Sequence, residues 1–191
     1  MALFVGSFLV WSADAKAGYI HSEAESTTVE GAQSSSFVIS TRSGTIHCSS
    51  LTVSGSFAAK TTSELEYAPS FSGCTSTGFV EAGVTLDPGV KFRVTWAGVL
   101  PLEDIIGTLK ITAPFCTITI EAQLLSGVSF TNTGSGTTRE IHISLNDSSV
   151  TYSQSGFGCR DFSGTYFDGL FSGTIRFTGK SGGSHRGIWA D

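Results

Sequence analysis

Charge is scarce in this chain. Only 14% of its 191 residues are Asp, Glu, Lys or Arg, against about 25% in ordinary soluble domains. The net charge of −5 is mildly acidic and there is no basic stripe, so nucleic acid is not an implied partner. Methionine occurs once and proline four times. Helical periodicity is missing: nowhere do apolar residues recur at i, i+3, i+4 and i+7 over three turns, which excludes an amphipathic-helix architecture. Past the first residues no apolar run is long enough to span a membrane. There is no C-x-x-C pair, and no histidine stands at zinc-ligand spacing from a cysteine. Gly179-Lys180-Ser181 ends like a phosphate-binding loop, but the earlier glycine of that motif is Thr174 here and no helix follows. Gly134-Ser135-Gly136-Thr137-Thr138-Arg139 lacks the third glycine of a dinucleotide fingerprint and reads as a loop. No cofactor is implied.

What the chain has in abundance is glycine, 23 residues of it, with serine and threonine throughout. That mixture suits many strands, tight turns and solvent faces covered by hydroxyls. The clearest strand pattern lies in Pro114 to Asn132. Cys116, Ile118 and Ile120 fall on one side of a pleated strand, and Thr117, Thr119 and Glu121 on the other. Val128 and Phe130 alternate again after a Ser126-Gly127 turn. Val90, Phe92, Val94 and Trp96 share a face, as do Ile141, Ile143 and Leu145. Asp87-Pro88-Gly89 predicts a hairpin joining 79–86 to 90–96. Leu65 to Tyr67 stops at Pro69, which cannot donate to a ladder. Residues 98–107, with Pro101, Glu103 and Asp104, read as a connecting loop. Gly164 to Phe177 reads as two arms around Asp168-Gly169, and Ile188-Trp189 docks a last strand. The sum is an all-β, antiparallel sandwich or barrel of about 10–12 short strands.

The domain reading has three parts. Residues 1–17 read as a signal peptide: Met1 to Trp11 is an apolar run of secretory length, followed by small-x-small sites at Ala13-Asp14-Ala15 and Ala15-Lys16-Ala17. Its charged n-region is missing, which a start placed too late would explain; the alternative is a first buried strand. Residues 18–36 read as a flexible lead-in, and 37–191 as a single β domain.

The four cysteines are Cys48, Cys74, Cys116 and Cys159. An even count in an exported chain implies two disulfides. Four cysteines allow three pairings, of which Cys48–Cys74 with Cys116–Cys159 closes the shortest loops, 26 and 43 residues apart.

The contexts of these cysteines are distinctive: I-H-C at 46–48, F-S-G-C-T at 71–75, F-C-T-I-T-I-E-A-Q at 115–123 with G-V-S-F-T-N at 127–132, G-F-G-C at 156–159 and G-T-Y at 164–166. In this order and spacing they resemble a group of small exported β-rich proteins of soil actinobacteria. The likeness spans roughly Phe37 to the end. It implies a signal peptide, four placed cysteines and a Trp-containing C-terminus, matched here by Ile188-Trp189, and it implies no chemistry. The chain departs from the group in its missing n-region and in its 96–107 segment.

Few residues suggest catalysis. Glu64/Glu66 and Glu103/Asp104 are carboxylate pairs of the kind a glycosidase needs, and equally the solubilising charges of a sheet surface. His47 and His142 lie on polar faces; His21 and His185 complete the histidines. Asn146-Asp147-Ser148 has the spelling of a glycosylation acceptor, reads as a turn, and with Asp161 or Asp168 could hold calcium. An outward aromatic stripe would indicate sugar stacking or a partner surface. The leading expectation is a secreted, disulfide-stabilised, non-catalytic domain that binds a surface glycan or protein. The alternatives are a small-ligand barrel, which needs an apolar cavity, and a secreted hydrolase, which needs His and carboxylate groups in one cleft.

Overall fold

The computed structural model describes residues 18–77, 85–86, 90–96, 101–161 and 163–191. They form an antiparallel all-β fold with seventeen strands among the described residues. In chain order these are β1 (Ile20–Ser22), β2 (Thr27–Gln33), β3 (Phe37–Thr41), β4 (Gly44–Phe57), β5 (Thr61–Thr62), β6 (Glu64–Thr77), β7 (Thr85–Leu86), β8 (Lys91–Trp96) and β9 (Pro101–Ile106). Then follow β10 (Leu109–Ala113), β11 (Cys116–Ile120), β12 (Gln123–Leu125), β13 (Val128–Thr133), β14 (Glu140–Ser155), β15 (Gly164–Ser181), β16 (Ser184–Arg186) and β17 (Ile188–Ala190).

Fourteen strands share one sheet. Its path β9-β8-β6-β4-β2-β15-β14 continues into β13, while β12, immediately before β13, pairs back onto β9. This half therefore closes into a barrel-like ring. β4, β6, β14 and β15 are long, 14 to 18 residues, and run on beyond the ring. There β3 takes the place of β2 between β4 and β15, and β11, β10 and β7 extend outward from β14. A second sheet, β17-β1-β5, lies where β13 ends and β14 begins. The Asn132 side chain ties it on, donating to the Ala190 carbonyl and accepting from its N–H at 2.7 and 2.9 Å.

The inward rows are those the alternation picks out. Val90, Phe92, Val94 and Trp96, Cys116, Ile118 and Ile120, and Ile141, Ile143 and Leu145 are all buried. Each buried aliphatic or aromatic side chain contributes roughly 1.5–3 kcal/mol.

Several elements differ from the sequence reading. The lead-in 18–36 carries β1 and β2, because its few aliphatics, Ile20 and Val29, are buried in the core. The strands are more numerous than expected, and the principal ones are long. β6 runs through Pro69, since beyond Tyr67 only β4 flanks it among the described residues and a missing N–H costs no rung there. Asp168-Gly169 does not reverse the chain; Gly169 sits opposite Val150 at a register shift inside one continuous strand. Residues 101–106 are strand, with proline at the first position. Thr85–Leu86 pairs with β10, whereas β8 pairs with β6 and β9, so 85–86 and 91–96 are not partners; the turn 87–89 lies outside the described residues, as do 78–84 and the signal-peptide reading of 1–17. No helix among the described residues is long and apolar enough to cross a membrane.

Candidate functional site

The hairpin between β10 and β11 turns on two residues, Pro114 and Phe115, flanked by the pair Ala113 and Cys116. Proline fixes the first position near φ −65°. Phe115 has φ 62°, the left-handed backbone that a turn of this kind ordinarily gives to glycine. A side chain there costs about 1–2 kcal/mol. The chain accepts that cost for a phenylalanine that is 62% exposed. Packing of the core does not require it.

A second phenylalanine lies against it. Phe157 is 85% exposed, and its ring stacks on Phe115 with centroids 4.5 Å apart and planes at 26°. The two loops are bound together by more than the rings. The Gly158 N–H donates to the Phe115 carbonyl at 2.9 Å, and the Cys116–Cys159 disulfide joins their bases. Two glycines allow the close approach: a Cβ at Gly156 would stand 2.1 Å from the Phe115 oxygen, and one at Gly158 2.6 Å from the Pro114 oxygen. Gly156→Ala is expected to cost about 1–3 kcal/mol in a denaturant melt, since it combines that clash with φ 117°.

Beside the aromatic pair lies a hollow of about 570 Å³, lined by Phe157, Arg160, Asp161 and Ser163. Its floor is tied inward by Gln154, which donates to the Asp161 carbonyl and accepts from Ser43. Next to Ser43, Arg42 pairs with Asp168 at 2.7 Å and lies 4.6 Å above the Tyr166 ring. That guanidinium holds the Asp168 carboxyl below its usual range. Burial raises the Tyr152 hydroxyl, which accepts from the Arg42 N–H and donates to Asp168.

The other candidates fall elsewhere. All four cysteines are joined, Cys48 to Cys74 and Cys116 to Cys159. Glu64 and Glu66 are surface carboxylates engaged by Arg93 and Lys91, and hydrogen bonds from Lys91 and Arg93 hold Glu66 below its usual range. Glu103 and Asp104 part company: Asp104 is half-buried, while Glu103 is in the ring interior, accepting from the Tyr67 hydroxyl. Burial pushes the Glu103 carboxyl up to about 7. The same burial, with Glu103 beside it, raises Tyr67 well above its ordinary value. His47 and His185 are exposed. His21 stacks on Trp189 and meets Asp191 at 3.2 Å, and His142 meets Thr133 and Glu140.

The Asp147 carboxylate is engaged by two serines. Burial pushes its carboxyl up, and hydrogen bonds from the N–H and hydroxyl of both Ser149 and Ser126 more than offset this. Among the described residues no three His, Cys, Asp or Glu side chains come together to hold a metal. Gly179-Lys180-Ser181-Gly182-Gly183 has the G-x-S-x-G spelling of a nucleophile elbow. It runs from β15 into the turn before β16 rather than into a helix, and Ser181 donates to the Glu25 carbonyl.

The exposed pair Phe115/Phe157 was not legible as a site. Its one sequence signal is a Pro-Phe where a type II turn favours Pro-Gly. No family model matches the chain, and no curated protein or solved structure matches it either.

Proposed function

We propose that this chain is an exported, non-catalytic binding domain that holds a glycan against the Phe115/Phe157 platform. One observation carries the reading: an aromatic ring occupies a glycine position, exposed and held in place by a partner ring, a disulfide and two glycine contacts. A strained, solvent-facing aromatic is explained by what it contacts outside the chain. The open face of Phe157 suits the apolar face of a sugar ring, and Arg160, Asp161 and Ser163 at its edge suit the hydroxyls. Two disulfides suit an oxidising compartment.

The filled ring also favours a surface site over a carried ligand. The cavity beside Tyr67 and Glu103 has a volume of about 10 Å³, room for one water.

The test is a glycan array with the full chain and two variants. Phe157→Ser is expected to weaken retained glycans roughly tenfold, about 1.4 kcal/mol. Phe115→Asn keeps a residue that tolerates the left-handed backbone, so stability should stay within about 1 kcal/mol of the parent while binding falls. A core phenylalanine such as Phe177 would instead cost about 3–5 kcal/mol on truncation. An empty array, or equal retention by Phe157→Ser, would overturn the reading.

A further inference from the structure

We propose a second binding site, for an oxyanion, between the 136–139 turn and β16. A hollow of about 390 Å³ opens there, lined by Thr137, Thr138, Arg139, His185, Arg186 and the backbone of Gly179. Its walls are fixed to each other. The Ile188 N–H donates to the Arg139 carbonyl at 3.1 Å. Gly187 lets them touch, since a Cβ there would stand 2.1 Å from the Gly136 oxygen.

The charges point to the ligand. Five of the eight other described Lys and Arg residues are matched, Arg42 with Asp168, Arg93 with Glu64 and Glu66, Lys91 with Glu66, Lys180 with Glu30 and Arg176 with Glu140, while Lys60, Lys110 and Arg160 stand singly. Arg139 and Arg186 converge on one hollow with no carboxylate paired to either among the described residues. The Arg139 guanidinium lies over the Trp189 ring, 4.7 Å from its centre, a contact that holds the side chain without using its N–H donors. The Arg186 Nε is shut off from solvent and meets no acceptor among the described residues. A buried charged donor left in that state is costly, so the side chain gains by turning toward an acceptor that enters the hollow it lines. The one acid on the wall, Glu140, is drawn toward Arg176 and His142, 3.9 Å from each. Two arginine forks present paired donors to a carboxylate, phosphate or sulfate. The hollow exceeds the roughly 30 Å³ of one water many times over, so it has room for an oxyanion together with a group that carries it.

The site is independent of the aromatic platform, and the experiment keeps them apart. The full chain is titrated at constant ionic strength, followed by amide chemical shifts, with inorganic phosphate in one arm and glucuronate in the other. Saturable shifts at 137–139 and 185–187 are expected in at least one arm, and the responding arm shows whether the site takes a tetrahedral or a planar oxyanion. Arg139→Gln and Arg186→Gln should each reduce the affinity tenfold or more, while Arg160→Gln and Phe157→Ser leave it unchanged. Arg139→Gln keeps the test open should Arg186→Gln fold poorly. Non-saturating shifts in both arms, or saturable binding that survives in Arg139→Gln, would overturn the proposal.

Discussion

Glu103→Gln is expected to stabilise the protein by about 3 kcal/mol at pH 8 and to leave its stability unchanged below pH 4. Glu103 is 2% exposed inside the ring, between Val94 and Leu125 on the flanking strands. Burial, with Asp104 adjacent, pushes its carboxyl from 4.5 up to about 7, although the Tyr67 hydrogen bond works the other way. The sign follows from proton counts. Between pH 4.5 and 7 the folded chain holds a proton that the unfolded chain has released, so stability falls as pH rises through that window. Below it both states are protonated and nothing is lost; above it both are ionised and the full desolvation cost stands. Glutamine offers Tyr67 the same acceptor and puts an amide where the protonated carboxyl has its hydroxyl. Urea unfolding from pH 4 to 9 should show the parent declining relative to the variant through the window and a constant gap above it. A gap that does not change with pH would contradict the buried ionisation.

The same residue shows where the sequence stops being readable. Residues 101–106 read as loop in the sequence, and the strand they form turns its faces against hydropathy, with Leu102 38% exposed and Glu103 buried. That register is imposed by the ladders to β8 and β12 rather than by the strand's own hydropathy. Where a strand's own alternation is strong, as in Val90–Trp96 or Cys116–Ile120, the inward face was legible because the two-residue period and the ladder agree. Local punctuation was less informative. Pro69 and Gly169 look like ends of strands, yet one needs only an open side and the other only a register shift. The platform was less legible still. Aromatics are core residues by default, and the φ and the exposure that separate Phe115 from Phe130 or Phe177 belong to the fold rather than to the residue type. The oxyanion hollow was half visible, because 134–139 stood out as a loop, but its partner β16 arrives from 45 or more residues away.

Removing the two disulfides one at a time should separate stability from binding. The loop-entropy model gives about 4 kcal/mol for Cys116–Cys159 and about 3.5 kcal/mol for Cys48–Cys74, from separations of 43 and 26 residues. Denaturant midpoints should therefore fall by similar amounts in both paired cysteine-to-serine variants. Their local consequences differ. Cys48 and Cys74 are directly opposed in the β4–β6 ladder, which runs from the Thr45/Thr77 pair to the Gly55/Tyr67 pair and holds those strands with or without sulfur. Cys159 lies beyond the end of β14, in the loop before β15, and apart from the disulfide the ties between 156–159 and the 114–115 turn, among the described residues, are a single backbone hydrogen bond and the ring stack. A surface ring pair contributes only about 0.5–1.5 kcal/mol, too little to hold two loops in one geometry against the entropy released. Loss of Cys116–Cys159 should thus free Phe157 from Phe115 and lower glycan retention under conditions where the chain is still folded. Loss of Cys48–Cys74 should lower the midpoint and leave retention intact. Glycan retention that survives the first variant, or disappears with the second below its transition, would mean the platform does not depend on the sulfur beneath it.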